Sequence, residues 1–144
     1  MTQEKPELLF EDLAEGRTFR TLEYPVTEEL VEQYMDAVGD RHPLYSDAAA
    51  GPLEMRIAPP GLAAIYSRLS YLQEHTMPSG GVLAKQSFEF QAPVRIGDCL
   101  KVQASVFERF EDSKGHRRVH FLIEAYTSNG DPVSTTRLYA IWPK

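Results

Sequence analysis

Apolar residues recur at every second position in the second half of the chain. The members of this period-two pattern include Val102, Ala104, Val106, Val119, Phe121, Ile123 and Ala125. Such spacing is typical of strands that bury one face in a core. Turn-forming residues at 96–98, 112–115 and 129–131 separate the runs. The pattern therefore predicts antiparallel strands with turns between them across residues 82–142.

The first half of the chain follows helical spacing. Thr27 can cap a helix whose first turn is acidic, and Gly39 is suited to end it. The apolar face of this helix consists of Leu30, Val31, Tyr34, Met35 and Val38. Because these residues recur every three or four positions, they predict one buried stripe. A short strand is expected before the helix, at residues 17–24.

A second helix is predicted to occupy the centre of the fold. Pro59 and Pro60 introduce it, and residues 77–81 stop it. Because apolar residues occupy most of its circumference, we expect a sheet to wrap around it. The face expected beneath the sheet contains Leu62, Ile65, Tyr66 and Leu69. The predicted class is α+β, with a curled antiparallel sheet around a central helix.

Composition narrows the class of protein. The chain has 144 residues, a normal length for one domain, so we expect residues 1–144 to fold as a single unit. Its net charge of −6 would repel a phosphate backbone, which argues against nucleic-acid binding. No apolar run is long enough to cross a bilayer, and the N-terminal residues lack the pattern of a secretory leader. A cytoplasmic protein that binds neither nucleic acid nor a membrane is expected.

Residues 40–60 form the longest irregular stretch that the pattern predicts. They are rich in Pro, Asp and small residues, with at most a short helical turn at residues 47–50. Long loops in compact domains are usually functional, so this segment is the first place to look for a site.

Three segments resemble the MaoC-like family of (R)-specific enoyl hydratases and hydroxyacyl dehydratases. The first is GDRHPLYSD at residues 39–47, which is similar to a motif of Asp, any residue, Asn, Pro, an aliphatic residue and His. The others are IAPPGL at residues 57–62 and FEFQAPVRIGD at residues 88–98. With these segments in place, the resemblance as a whole extends along the chain from about Phe10 to its end. The resemblance implies a hot-dog fold, acyl thioesters of coenzyme A or acyl-carrier protein as substrates, and no cofactor.

The chemistry of such an enzyme defines which residues matter. Hydration of an enoyl thioester requires a base for water, a proton for C2 and donors to the thioester oxygen. By the resemblance, Asp40 occupies the position of the family's Asp, and Tyr45 replaces its His. An unperturbed phenol has a pKa of about 10, so it is a poor base at neutral pH, although it can donate a hydrogen bond. Asp40 and Tyr45 are therefore the expected catalytic residues, in an incomplete dyad.

Four further residues are expected to contact the substrate. His42 stands where the family has Asn, and Pro60 stands where the family's Gly gives an N–H to the thioester oxygen. Proline has no N–H, so Gly61, one residue later, is the alternative donor. Tyr66, in the helix that follows, is the fourth. No histidine has metal-ligand spacing, so no metal is expected.

Structural roles remain alternatives for several of these residues. Asp40 can form an Asx turn after Gly39, and we weigh this role equally with the catalytic one. His42 can orient the loop without touching substrate. Pro59 and Pro60 can simply start a helix.

Two functions follow from the resemblance. The first is a hydratase or dehydratase with Asp40 as base and Tyr45 as an acid or orienting group. The second is a non-catalytic subunit that shapes the acyl pocket, because some MaoC-like assemblies pair a chain that keeps Asp and His with one that lacks them. A hot-dog thioesterase is a weaker third. The curled sheet leaves an edge open, so we expect a homodimer or a heterodimer with a second hot-dog chain.

Overall fold

The sheet consists of five antiparallel strands within residues 4–46 and 56–144, the part of the chain that the computed structural model describes. Its strands are β1 (Leu22–Pro25), β2 (Val82–Phe90), β3 (Cys99–Glu111), β4 (Arg117–Tyr126) and β5 (Pro132–Trp142). Across the sheet they lie in the order β1-β3-β4-β5-β2, so β1 and β2 are its edges. The hairpins β3–β4 and β4–β5 are confirmed, whereas β2 pairs with β5 instead of with its successor β3.

The two faces of the sheet follow the period-two pattern. All seven apolar residues named for that pattern are buried on the inner face. His120 points to the other face, as its place in the alternation predicts, but it is buried there as well. Its Nδ1 lies 2.8 Å from Oε2 of Glu108, and the rings of Phe107, Phe110 and Tyr139 surround it. The outer face therefore carries a compact aromatic cluster.

Three α-helices are present among the described residues: α1 (Glu28–Val38), α2 (Pro43–Ser46) and α3 (Leu62–Tyr71). The predicted ends of α1 are confirmed. The Thr27 Oγ1 accepts a hydrogen bond from the Leu30 N–H at 3.1 Å, and Gly39 adopts a left-handed φ of 72°. The one-turn α2 was not expected, and the turn predicted at residues 47–50 lies outside the described residues. Within the described part of the chain, no helix is long and apolar enough to span a membrane.

The central helix α3 packs against the inner face of the sheet, but not through the face that periodicity predicted. Leu62 and Tyr66 are buried as expected, whereas Ile65 and Leu69 remain 40% and 47% exposed, so the prediction for these two residues is wrong. The buried face also includes Ala63, Ser67, Ser70 and Tyr71. It is partly polar because the hydroxyls of Tyr66 and Ser67 hydrogen-bond to β5, while Ser70 donates to the Ser67 carbonyl oxygen. Tyr66 Oη lies 2.5 Å from Ser134 Oγ, and Ser67 Oγ lies 3.0 Å from Thr136 Oγ1.

Two predicted boundaries also shift. The helix α3 ends at Tyr71, well before residues 77–81, because the chain beyond it pairs with the N-terminal segment. The Thr76 N–H donates to Pro6 O and the Leu8 N–H donates to Thr76 O, both at 2.9 Å. The strand β1 is shorter than residues 17–24, since Thr18 contributes only an isolated bridge to Ser105.

Candidate functional site

Asp40 is positioned by the end of α1. It follows Gly39, whose N–H donates to the Met35 carbonyl oxygen at 2.8 Å. The next residue, Arg41, turns back against α1, where its guanidinium donates to Glu32 at 2.8 Å and also binds Asp36. Asp40 itself is exposed. The helix cap and the Arg41 ion pairs therefore fix the backbone on both sides of Asp40 while leaving its carboxylate accessible.

Tyr45 lies on α2, near Asp40 and half-buried against the core. Its N–H donates to the His42 carbonyl oxygen at 2.9 Å, and the two rings are 5.5 Å apart between centroids. Burial raises the pKa of the Tyr45 phenol, and the charges of Asp40 and Tyr34 raise it further. The phenol is therefore protonated at neutral pH. It can donate a hydrogen bond or a proton, but it cannot serve as a base.

The start of α3 leaves one backbone donor available. Pro59 and Pro60 have no N–H. The N–H groups of Leu62 and Ala63 donate to the carbonyl oxygens of Pro59 and Pro60 at 3.1 and 3.0 Å. Gly61 lies between Pro60 and Leu62, and its N–H has no backbone acceptor among residues 4–46 and 56–144. This geometry favours Gly61 over Pro60 as the backbone donor of the segment.

Tyr34 joins α1 to the start of α3. A Cβ added to Gly61 would lie 3.0 Å from Cζ of Tyr34 and would overlap its hydroxyl. A side chain at position 61 would therefore have to displace the Tyr34 phenol from the turn. Helical spacing had placed Tyr34 in the apolar stripe of α1, so sequence analysis missed it as a site residue. The one available signal is that tyrosine combines an apolar body with a polar tip.

An apolar cavity of about 360 Å³ lies beside the start of α3. Its walls are Val26, Ile57, Ala58, Pro59, Pro60, Leu62, Tyr66, Phe90, Gln91, Ala92, Pro93, Val94 and Leu100. Among the expected site residues, Pro60 and Tyr66 line this cavity, whereas its described lining does not include Asp40, His42, Tyr45 or Gly61. Among the described residues, Tyr34 links the cavity to the Asp40–Tyr45 group, because it interacts electrostatically with Tyr45 and its phenol contacts Gly61, next to Pro60 in the cavity wall.

Tyr66 contributes a wall to the cavity instead of a polar contact. Its hydroxyl is already paired with Ser134, and its ring packs edge-on against Tyr24 with centroids 5.6 Å apart. Burial raises the pKa of this phenol. In the described part of the chain, no group of three or more His, Cys, Asp or Glu side chains is arranged to hold a metal ion.

The sequence is similar to a known family and to a characterised type of enzyme. A family model for the FAS1-like dehydratase domain region matches residues 14–136. The 3-hydroxybutyryl-CoA dehydratase of Methylorubrum extorquens is 33% identical over 113 residues, covering 76% of this chain and 71% of the relative.

Solved structures agree with the architecture. The unliganded (R)-hydratase PhaJ1 from Pseudomonas aeruginosa superposes with a TM-score of 0.80 at 23% identity, covering 96% of this chain and 87% of that one. A chain of the truncated HadBC 3R-hydroxyacyl-ACP dehydratase complex from Mycobacterium tuberculosis gives a TM-score of 0.73 at 23% identity, covering 88% of this chain and 96% of that one. These likenesses confirm the predicted α+β hot-dog fold.

Proposed function

Because the chain belongs to the FAS1-like dehydratase-region family and is MaoC-like, we propose that it hydrates enoyl thioesters or dehydrates 3-hydroxyacyl thioesters. The acyl carrier is coenzyme A or acyl-carrier protein. The curated relative, whose name gives 3-hydroxybutyryl-CoA as its substrate, favours a short acyl group as the first one to test.

One observation carries this proposal: an apolar cavity borders the turn at Pro60 and Gly61, and Tyr34 connects that turn to the acid–base pair Asp40 and Tyr45. The cavity, with Pro60 in its wall, suits a hydrocarbon chain. Tyr34 reaches the same turn at Gly61, and Tyr34, Asp40 and Tyr45 are close enough for their charges to interact. A thioester bound across this turn would place its acyl chain in the cavity and its reacting carbons near Asp40.

The proposed chemistry uses only these side chains. In the hydration direction, the Asp40 carboxylate accepts a proton from water while the water oxygen bonds to C3. The Tyr45 phenol, which its raised pKa keeps protonated, has one of two roles. If it only orients the water, the proton that Asp40 has taken up is then transferred to C2. If it protonates C2 itself, Asp40 returns its proton to the resulting phenolate. Dehydration runs the same steps in reverse.

A second candidate function is a non-catalytic subunit that binds the acyl chain for a catalytic partner. The protonated state of Tyr45 favours it, because the position that should hold the second base cannot act as one. The structural match to a chain of the HadBC complex favours it too, because that dehydratase is a complex of different chains.

Both candidates include assembly with a second hot-dog chain, which we propose is an identical copy or a related partner. The edge strand β2 pairs only with β5 among the described strands, and Val82, Leu83 and Phe90 on it are more than half exposed, at 54%, 54% and 51%. Ile65 and Leu69 add exposed apolar area on α3. A strand edge and apolar side chains of this kind are commonly covered by a partner.

The experiment that separates the candidates uses the purified chain alone. Binding of crotonyl-CoA is measured by calorimetry, and its hydration is followed by loss of enoyl-thioester absorbance. Binding with turnover supports the enzyme. Binding without turnover, with activity restored by a second MaoC-like chain that carries the complete Asp and His motif, supports the subunit. Absence of binding to crotonyl-CoA and to longer enoyl thioesters would overturn both.

A further inference from the structure

We propose that the Tyr34 hydroxyl donates a hydrogen bond to the thioester carbonyl oxygen of the substrate. This inference rests on the proposed function and deepens it, since it assigns a substrate contact to a residue outside the resembled motif. Tyr34 would replace the backbone N–H that Pro60 lacks.

The geometry at Gly61 carries the proposal. The phenol of Tyr34 comes so close to Gly61 that a Cβ at this position would overlap its oxygen. The hydroxyl therefore lies directly over the turn where the sequence predicts contact with the thioester. Pro60, whose backbone cannot donate, lines the apolar cavity from the same turn. A carbonyl oxygen at the mouth of the cavity would be within reach of the phenol.

The Tyr34 hydroxyl is also available and held in place. Within residues 4–46 and 56–144, it has no hydrogen-bond partner, whereas the hydroxyls of Tyr66 and Tyr126 are occupied by Ser134 and Glu124. The ring is partly buried against the core and sits on α1, where Gly39 and Thr27 cap both ends. A donor on a capped helix has little freedom to lose when it binds substrate, which is what an oxyanion contact requires.

The proposed role differs from that of Tyr45. When water attacks C3, negative charge develops on the thioester oxygen, and a fixed O–H donor lowers the energy of that state without transferring its proton. Tyr45 lies close enough to Asp40 for the carboxylate charge to raise its pKa, and it acts on the water or on C2. The two phenols would therefore serve the two ends of the reacting unit, Tyr34 at the thioester oxygen and Tyr45, together with Asp40, at the water and C2.

The test compares Tyr34→Phe with the wild-type protein. Removing one oxyanion donor typically lowers kcat by about 100- to 1,000-fold, and we expect a fall of this order with little change in KM. The matched control is Tyr126→Phe, which removes a phenol hydroxyl from the sheet, where it binds Glu124, and should leave kcat unchanged. Rescue distinguishes a contact from a packing role: adding Pro60→Gly supplies a backbone N–H, so it should raise kcat far more in Tyr34→Phe than in wild type.

A second readout needs no turnover. Butyryl-CoA labelled with ¹³C at its carbonyl is saturated and cannot be hydrated, and its C=O stretch reports hydrogen bonding. We expect the stretch to fall in frequency on binding to wild type and to return towards the free value in Tyr34→Phe. An equal stretch in both proteins, or equal kcat, overturns the role of Tyr34 alone. Failure of the wild-type protein to bind butyryl-CoA overturns this proposal together with the proposed function.

Discussion

The Asp40 carboxylate lies close enough to Tyr45 for its charge to raise the pKa of the phenol, in addition to the rise that burial causes. The pair therefore consists of one group that can accept a proton and one that holds its proton at neutral pH. A phenol in this position can donate, whereas the imidazole that the resembled family has there can also accept. Because of this difference, we expect the site to have one proton acceptor, Asp40, where the resembled family has two.

Replacing Tyr45 with histidine should increase hydration of simple enoyl thioesters. The change restores the Asp-to-His spacing with Asp40, and a well-placed general base contributes about 100- to 10,000-fold. We expect the lower part of this range, because the Tyr34 hydroxyl only partly replaces the N–H that Pro60 lacks. The measurement is kcat on crotonyl-CoA, and Tyr45→His with Pro60→Gly should exceed either single variant.

Tyr45→Phe is the control for that gain. It keeps the ring that packs on the core and removes only the hydroxyl. If Tyr45→Phe retained full activity, the phenol would have no catalytic role. If Tyr45→His bound substrate normally but showed no gain, the missing imidazole would not be what limits the rate.

The pH dependence should differ between wild type and Tyr45→His. The pKa of the Tyr45 phenol is raised in the folded protein, so the phenol stays protonated below its ordinary pKa of about 10. The contribution of this raised pKa to folding stability is complete below that pH and is lost as pH rises through the folded pKa. Between pH 6 and 9, wild-type kcat should therefore show no limb from Tyr45. The ratio of Tyr45→His to wild-type kcat should rise through about pH 6.5, where imidazole loses its proton. A flat ratio across pH 5 to 8 would rule out histidine acting as a base there.

Neighbouring alanines on α3 test the observed packing of the central helix. Ala63 is 1% exposed, and Ala64 faces solvent. Ala63→Asp places an unpaired charge in the core and should lower the free energy of unfolding by about 3 to 5 kcal/mol. Ala64→Asp adds a carboxylate near the positive end of the helix dipole and should change it by less than about 0.5 kcal/mol. Denaturant unfolding of both variants at one protein concentration decides this, and equal losses would contradict the helix orientation.

The hydrogen bond between Tyr66 and Ser134 anchors α3 to β5 and should show strong coupling. Both residues are buried, so Tyr66→Phe leaves the Ser134 hydroxyl unsatisfied at a cost of about 1 to 3 kcal/mol. Adding Ser134→Ala removes the stranded hydroxyl and should recover part of that loss. A double-mutant cycle measured by denaturant unfolding gives the coupling energy. Strict additivity of the two changes would mean that the contact contributes nothing.

Sequence patterns predicted the elements and the faces of the sheet better than the face of the central helix. Val119 and Phe121 are buried because a period of two allows only one inner face. On α3, the same reasoning failed for Ile65 and Leu69, because Ser67 and Ser70 can enter the core once their hydroxyls find hydrogen-bond acceptors. Ser67 donates to Thr136 on the distant strand β5, whereas Ser70 donates to the Ser67 carbonyl oxygen of its own helix, and the apolar periodicity carries no information about either bond.

The residues of the candidate site were likewise only partly predictable from the sequence. The resemblance pointed to Asp40 and Tyr45, which the structure brings close together. It could not indicate Tyr34, because a tyrosine at helical spacing is indistinguishable from core until its hydroxyl is seen against Gly61. His120 is the opposite case: its alternation was correct, but its burial depends on aromatic residues of neighbouring strands.

The most direct test of the proposed function is the turnover of crotonyl-CoA by the purified wild-type chain beside Asp40→Asn. The asparagine keeps the size of the side chain and its hydrogen-bonding capacity for an Asx turn, but it cannot accept the proton from water. The account predicts measurable formation of 3-hydroxybutyryl-CoA by wild type and a loss of about 100-fold or more in the variant, with binding of crotonyl-CoA retained. Equal turnover by the two proteins would contradict it, because water would then be activated by a group other than Asp40.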